Sequence, residues 1–231
     1  IDVDVAPDGR TLVFDVLGDL YTLPAGGGTA TRLTSGPAYD FQPRFSPDGR
    51  QVVFTSDRGG TDNVWVMNVD GTQPRPITSE KDHVMNCPRW SPDGQNIVCK
   101  KRLTDVSSIG TAELWEFNVR GGSGIQITKK GELPEASEPL YAPDGRFIYF
   151  SARPARYQYN RNVFAGIYQV RRYDRVTGQA TGVTDGYGGS ARPELSPDGK
   201  TLAFVRRDRL KTVLYLYDLE RQTERPLWDG L

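Results

Sequence analysis

Residues 41–78 read FQPRFSPDGRQVVFTSDRGGTDNVWVMNVDGTQPRPIT and contain one complete structural unit of the chain. The unit consists of four short apolar segments separated by three turns. In the first turn Pro47 fixes its own φ and Gly49 accepts the positive φ that closes a tight reversal. The last turn is Asp70-Gly71, a pair typical of β-hairpins. The stretch therefore predicts a four-stranded antiparallel meander.

The same unit recurs along all 231 residues. The Pro-Asp-Gly turn begins at Pro7, Pro47, Pro92, Pro143 and Pro197. The third strand of each repeat is expected to carry one aromatic residue at an equivalent position, namely Tyr21, Trp65, Trp115, Tyr168 and Tyr215. Four repeats close on a threonine, at Thr34, Thr78, Thr128 and Thr184. These landmarks divide the chain into five predicted blades, 1–36, 37–79, 80–130, 131–186 and 187–231.

The second strand of each repeat favours a β-propeller. Segments such as VVF at 52–54 and IYF at 148–150 are apolar at consecutive positions, so both faces of the sheet are expected to be buried. A two-layer β-sandwich buries one face of each sheet and does not repeat a whole four-stranded unit five times. We therefore predict an all-β propeller of four-stranded antiparallel blades, with five repeats present.

Polar residues recur on the first strand of each repeat, which is the innermost strand of a propeller blade. With simple alternation along the strand, one side chain face is apolar and the other points to the axial channel. The predicted channel residues are Asp4, Gln42, Arg44, Arg89, Glu138, Arg192 and Glu194. Two interpretations stay open: these charges hydrate the channel or pair across it, or they bind a ligand.

A second candidate surface lies in the loops between the second and third strands. Six arginines and one aspartate fall between Ser151 and Arg175, and four more cations follow in the corresponding part of the fifth repeat, at Arg206, Arg207, Arg209 and Lys211. The loop-face candidates are Arg58, Arg156, Tyr157 and Tyr159. They could bind an anionic ligand, a peptide or a neighbouring domain. The alternative is a solvated loop that covers the blade edge.

Composition limits the function classes. Lys plus Arg and Asp plus Glu both total 29, which argues against a chain selected as a whole for nucleic acid or an anionic membrane. No apolar run approaches the roughly 18 residues of a membrane span. No motif predicts a catalytic residue, a metal site or a cofactor. The single histidine, His83, is interpreted as a loop residue, and residues 121–125, GGSGI, as a hairpin turn and not a nucleophile elbow.

The two cysteines of the chain are Cys87 and Cys99, on adjacent predicted strands of the third repeat. Cys99 occupies the place that phenylalanine holds in the other four repeats, so its side chain should point into the packing while Cys87 points to the channel. Two separate thiols are therefore expected, with a disulfide as the alternative.

The repeat resembles the TolB-type propeller repeats, whose F-S-P-D-G-R, S-D-R-G-G and D-G-T segments are matched at 45–50, 56–60 and 70–72. Residues 18–50, QYN at 158–160 and 192–207 look most similar to the group that precedes metal-dependent amidohydrolase domains. The resemblance implies a non-catalytic binding module that docks on a catalytic domain of the same chain, and a periplasmic or secreted location. It also implies a ring of six blades, so the chain is expected to be a fragment whose open arc could self-associate. The alternative is a closed ring of five blades.

The resemblance leaves two other functions open. One is a free-standing protein-binding or peptide-binding scaffold of the TolB kind. The other is a propeller that binds a small molecule or a carbohydrate, or a lyase.

Overall fold

The computed structural model describes residues 1–103, 112–129, 135–153 and 167–228 and is all-β within them. Five four-stranded antiparallel sheets follow one another as consecutive meanders, which confirms the predicted propeller blades. Their strands are β1 Val3–Val5, β2 Thr11–Val16, β3 Asp19–Pro24 and β4 Thr31–Arg32; β5 Asp40–Phe45, β6 Gln51–Ser56, β7 Asn63–Asn68 and β8 Arg75–Pro76; β9 His83–Trp90, β10 Asn96–Leu103, β11 Glu113–Asn118 and β12 Ile125–Gln126; β13 Ser137–Tyr141, β14 Phe147–Ala152, β15 Gln169–Asp174 and β16 Gln179–Gly182; β17 Ala191–Leu195, β18 Thr201–Asp208, β19 Lys211–Asp218 and β20 Thr223–Trp228. We call these sheets blades 1 to 5.

The chain divides into two compact units. The first comprises Ile1–Ser108 and Trp115–Gln126, and the second Ile109–Leu114 and Ile127–Leu231. Blades 1 and 2 lie in the first unit, blades 4 and 5 lie in the second, and blade 3 is shared. None of the described residues forms a helix long and apolar enough to cross a membrane.

The Pro-Asp-Gly turns have the predicted conformation. Gly49 adopts φ 70°, and its N–H donates to the Ser46 carbonyl at 2.9 Å. The Asp48 carboxylate accepts from the Arg50 N–H at 3.1 Å and from the Ser46 hydroxyl at 2.6 Å. These hydrogen bonds lower the pKa of Asp48, since they stabilise its charged form. The turn is thus fixed by its own side chains before any contact with another blade.

Blade 2 is buried on both faces, as its consecutive apolar residues predict. Val52, Val53 and Phe54 are fully buried. On one face Val52 and Phe54 pack with Val13 and Leu20 of blade 1, and on the other Val53 packs in the cluster that reaches blade 3. Each such side chain contributes about 1.5–3 kcal/mol by burial. Blade stacking therefore provides most of the core of the first unit.

Blade 1 has a face that does not receive a neighbouring blade within the first unit. Val3 pairs with Phe14, and Phe14 with Tyr21, so these side chains share that face. Val3 and Val5 are more than half exposed there. Exposed apolar surface of this kind can contact another molecule, and the self-association expected from the sequence stays a prediction.

The closing threonines complete hydrogen bonding that the short fourth strands leave unmade. β8 spans only two residues, so the Val64 N–H of β7 has no partner on it. The buried Thr78 hydroxyl accepts from this N–H at 2.9 Å. The same contact joins Thr34 to Leu20, Thr128 to Leu114 and Thr184 to Val170. A buried N–H without a partner costs free energy, which explains why a hydroxyl recurs at this place.

Simple alternation along the first strands, which we assumed from sequence, is wrong. Phe41 pairs with Thr55 and Arg44 with Val53, so Gln42 and Pro43 together oppose Phe54 in a β-bulge. Gln42 has φ 56° in the left-handed region. The equivalent bulge residues are Cys87, Glu138 and Arg192, with φ of 55°, 53° and 56°. Each bulge adds one residue to the strand and so shifts the alternation of side chains on its two sides.

The predicted equivalence of Tyr168 with the third-strand aromatics is also wrong. Phe14 pairs with Tyr21 and Phe204 with Tyr215, but Phe150 pairs with Arg171. Tyr168 precedes β15 and lies outside the ladder. An arginine thus holds the aromatic position in blade 4, and the tyrosine serves a different contact described below.

Candidate functional site

The polar side chains of the inner strands in the first unit connect neighbouring blades. The Asp4 carboxylate of blade 1 accepts from the Phe45 N–H of blade 2 at 2.8 Å. Arg44 donates from Nη2 to the Asp2 carboxylate at 2.9 Å and from Nη1 to the Pro43 carbonyl at 2.7 Å. Two of the predicted channel residues, Asp4 and Arg44, are therefore engaged in contacts that hold blade 1 to blade 2.

The bulge residues make a second series of connections. Gln42 Oε1 accepts from the Cys87 N–H of blade 3 at 2.7 Å. In the second unit, Glu138 Oε2 accepts from the Arg192 N–H of blade 5 at 2.8 Å and from the Ser151 hydroxyl at 2.8 Å. A bulge turns one N–H away from its own ladder, and the side chain of the preceding blade supplies the acceptor.

The structure thus groups the predicted channel residues by unit. Asp4, Gln42 and Arg44 each make a contact between neighbouring blades of the first unit, and Glu138 and Arg192 hydrogen-bond to each other in the second. Arg89 of β9 pairs with Val98 of β10, and Glu194 of β17 pairs with Ala203 of β18. A ligand-binding role for these residues stays a prediction.

The two cysteines form no disulfide with each other. Cys99 is fully buried opposite the Cys87-Pro88 bulge, whereas Cys87 is half-buried and accepts from Gln42 Nε2 at 3.4 Å. Burial, followed by the nearby Cys87 charge, raises the pKa of the Cys99 thiol. The sequence-based expectation of two separate thiols is confirmed.

The difference between the thiols predicts selective alkylation. Under native conditions at pH 8, iodoacetamide should modify Cys87 well before Cys99, because only an accessible thiolate reacts. Peptide mass spectrometry after a time course measures both sites, and a sample unfolded in urea serves as the control in which both react. Equal native labelling of Cys87 and Cys99 would contradict the described burial.

We call the end of each sheet where the second and third strands join the rim end. In blades 2 to 5, a cluster of a cation, an aromatic ring and a carboxylate lies there. In blade 2, Arg58 donates to both oxygens of Asp40 at 2.7 Å. Its guanidinium lies 5.1 Å from the ring centre of Phe54 and 5.2 Å from that of Trp65. We call this arrangement the rim clasp.

The rim clasp recurs in three more blades with different residues. In blade 3, Lys101 binds Glu80 at 2.7 Å and lies 4.4 Å from the Trp115 ring centre. In blade 4, Arg153 pairs with Glu135 at 2.8 Å and lies over Tyr168, and in blade 5, Arg206 pairs with Glu224 and lies over Phe204 and Tyr215. In blade 1 the hairpin turns at Leu17-Gly18 directly after β2.

The rim clasps show the contacts of two sequence candidates, whose binding role stays a prediction. Arg58 was predicted as a loop-face binder, yet its guanidinium is bound to Asp40 and stacked on two rings. Arg206 was grouped with the surface cations of blade 5, yet it is buried within β18. The other loop-face candidates, Arg156, Tyr157 and Tyr159, lie outside the described residues.

Large apolar side chains are exposed at the rim end of both units. In the first unit, Leu17 is 91% exposed, and the half-exposed Tyr39 packs beside Gly18 and Phe41. In the second unit, Tyr187 and Leu210 are more than four-fifths exposed. Leu17 also has φ 52°, an uncommon conformation for a branched side chain. Such surface is typical of contacts with another protein.

No group of three or more His, Cys, Asp or Glu side chains within the described residues is placed to hold a metal ion. His83 is the first residue of β9 and not a loop residue, and its Nδ1 lies 3.4 Å from a Glu80 oxygen. The GGSGI segment connects β11 to β12 as the predicted hairpin turn.

Sequence reasoning missed the rim clasps and the bulges, although both have signals. A cation follows the second strand's apolar run in four repeats, at Arg58, Lys101, Arg153 and Arg206. A proline lies inside the first strand in the same four repeats, at Pro43, Pro88, Pro139 and Pro193. Proline within a strand indicates an edge position or a bulge, because it cannot donate to the ladder.

Comparison with known proteins finds similar propellers. Residues 4–110 match the family model described as the tricorn protease N-terminal beta propeller domain. A solved structure of a putative TolB from Agrobacterium tumefaciens superimposes with a TM-score of 0.80 at 24% identity, covering 98% of this chain and 79% of that chain. The chain is a TolB-like propeller in fold.

Two curated relatives extend the similarity to sequence. The uncharacterized peptidase YuxL of Bacillus subtilis is 29% identical over 163 residues, which cover 58% of this chain and 24% of the relative. The Tol-Pal system protein TolB of Francisella tularensis subsp. mediasiatica is 28% identical over 199 residues, which cover 64% and 44%. The chain thus spans less than half the length of these relatives.

Proposed function

We propose that this chain is a non-catalytic TolB-like propeller module of a larger hydrolase, which docks on the catalytic domain and gates substrate access. The observation that carries the proposal is the use of the inner-strand polar groups. Gln42 and Glu138 accept from backbone N–H groups of the next blade, so they act as structural acceptors and not as reacting groups. The function of such a module is to present a surface.

The nature of the catalytic domain is the finer part of this proposal. The sequence resemblance favours an amidohydrolase domain that binds metal, in a periplasmic or secreted protein. The similarity to the peptidase YuxL supports a hydrolase partner in the same chain more generally. Exposed apolar side chains at the rim end of each unit, Leu17 and Tyr39 in the first and Tyr187 and Leu210 in the second, are suited to such docking.

A second candidate function is a free-standing protein-binding scaffold of the TolB kind. The observation that favours it is the similarity to TolB over a larger share of this chain than to YuxL. The two functions differ in what the whole gene encodes. An amidohydrolase would carry an H-x-H metal strand in a further domain, while a scaffold would carry a signal peptide and end soon after the propeller.

The test combines the coding sequence with activity. The whole gene should encode a further domain with metal-ligand motifs, and the whole protein should hydrolyse amide or ester substrates only with metal present. This 231-residue chain, assayed at the same concentration, should show no turnover. Metal-dependent turnover by this chain alone would overturn the proposal, and a gene without a further domain would favour the scaffold.

A further inference from the structure

The β18–β19 hairpin of blade 5 is longer than the corresponding hairpins of blades 1 and 2. Both of its strands have eight residues, against six in β2, β3, β6 and β7. Its ladder runs to the Asp208–Lys211 pair, and the turn consists of Arg209 and Leu210. The added length lies at the rim end, so the turn extends beyond the base of the hairpin.

The base of this hairpin is fixed by Arg206. Its side chain is 6% exposed, and its guanidinium pairs with both oxygens of Glu224 and donates to the Gly189 carbonyl and the Ser190 hydroxyl at 3.2 Å each. It also lies 4.7 Å from the Tyr215 ring centre. A charged group with this many partners holds one position, because losing any of them would leave buried polar atoms unpaired.

The connection into blade 5 holds the hairpin from the side. The Arg207 N–H donates to the Gly188 carbonyl at 3.3 Å, and the Ser190 N–H donates to the Tyr168 carbonyl at 2.6 Å. A Cβ at Gly188 would lie 1.7 Å from the Arg207 carbonyl oxygen. The two backbones are therefore as close as glycine permits, and the hairpin is rigid where it leaves the sheet.

The turn itself combines exposure, charge and backbone strain. Leu210 is 87% exposed, and Arg209 adopts φ 52° although glycine is the usual residue at positive φ. Arg207, Arg209 and Lys211 are exposed around the leucine, with Asp208 as the nearby carboxylate. Tyr187, on the adjoining connection, is also exposed. An exposed leucine on a rigid, basic turn lowers solubility without adding to the core, which points to a binding role.

We propose that this hairpin tip, formed by Tyr187, Arg207, Arg209, Leu210 and Lys211, is the docking surface toward the catalytic domain. This inference rests on the proposed function and identifies the surface through which the module docks. Leu210 inserts into an apolar recess on the partner domain, and carboxylates at the edge of that recess pair with the surrounding cations. A rigid tip loses little conformational entropy on binding, and one apolar side chain that becomes buried within a ring of charged groups can provide much of the binding free energy.

A folded protein domain fits this tip better than a lipid surface. A membrane-binding segment needs several apolar side chains and a larger excess of cations. Here one leucine and one tyrosine project, and Asp208 lies among three cations. The partner surface is therefore an acidic rim around a small apolar site.

Hydrogen–deuterium exchange of the whole protein, compared with this chain alone, tests the inference. In the whole protein the amides of residues 207–212 should exchange about tenfold more slowly, because docking suppresses local opening. Leu210→Asp in the whole protein should abolish that protection. Val176→Asp is the matched control, since Val176 is 77% exposed in the β15–β16 turn at the opposite end of blade 4, and it should leave the protection intact.

Outcomes separate the inference from the function on which it rests. The hairpin tip is supported as the docking surface if residues 207–212 exchange slowly, if Leu210→Asp removes that protection and if Val176→Asp leaves it intact. Protection elsewhere on the propeller, with residues 207–212 unchanged, would refute the hairpin tip as the docking surface but would still support the proposed accessory function. If the whole protein and this chain alone exchange equally at every residue, both the docking surface and the accessory function are refuted. Exchange of the β14 amides provides the folding control, because a variant that alters them has perturbed the blade and must be replaced by Leu210→Ser.

Discussion

Replacing Asp40 by alanine is expected to lower the free energy of unfolding by about 2–3 kcal/mol. Asp40 is 2% exposed and holds Arg58, whose side chain is 22% exposed and stacked on Phe54 and Trp65. Without the carboxylate, the guanidinium stays between two rings with its charge unpaired. Urea unfolding followed by tryptophan fluorescence measures the loss, since Trp65 lies in the same cluster.

Asp19→Ala is the matched control for this prediction. Asp19 also pairs with an arginine in the first unit, at 2.6 Å, but that partner, Arg32, is about half exposed. An exposed pair is worth about 0–1 kcal/mol, so the control should change stability little. Equal losses for Asp40→Ala and Asp19→Ala would show that the rim clasp of blade 2 is not a buried interaction.

A double variant separates the effect of the unpaired Arg58 charge from the effect of lost packing. Asp40→Ala combined with Arg58→Leu removes both partners and should recover at least about half of the stability lost in the single variant, because replacing a buried pair by apolar groups is often neutral. A double variant as unstable as the sum of the two single variants would mean that the clasp acts through packing and not through charge.

Gly188→Ala is expected to destabilise the second unit by about 3 kcal/mol, from a strained positive φ and a backbone collision together. Gly188 has φ 90°, and an added Cβ would meet the Arg207 carbonyl oxygen at 1.7 Å. Both groups belong to backbone, so no side chain rotation relieves the contact. The connection into blade 5 would have to move away from the β18–β19 hairpin.

Gly178→Ala provides the control in the same unit. Gly178 has φ 72°, but the nearest atom to its added Cβ is the Tyr173 hydroxyl at 3.8 Å. This variant should lose about 1–2 kcal/mol from the backbone conformation alone. Thermal unfolding of both variants measures the difference, and a Gly188→Ala protein as stable as Gly178→Ala would refute the close approach on which the rigid hairpin base depends.

The rim clasps illustrate how a repeat fold keeps geometry while its residues change. The cation is arginine in three blades and lysine in one. The carboxylate is the first residue of the first strand in blade 2, precedes that strand in blades 3 and 4, and belongs to β20 in blade 5. The constant element is a positive charge over an aromatic face at the end of the second strand. The clasps thereby position the rim end, where the exposed apolar residues lie.

The amino-acid sequence by itself determined the blades. Turn residues such as Asp48-Gly49 act through their own backbone and side chain bonds, and the consecutive apolar residues of β6 require burial on both faces, so neither depends on knowing the neighbours. The tertiary structure alone decided where polar side chains point. At the bulges of Gln42, Cys87 and Arg192 the released N–H finds an acceptor on the previous blade, and strand periodicity contains no information about that blade. The same is true of Arg58 and Arg206, whose charges look like surface binders in the sequence and are held by carboxylates 18 residues away.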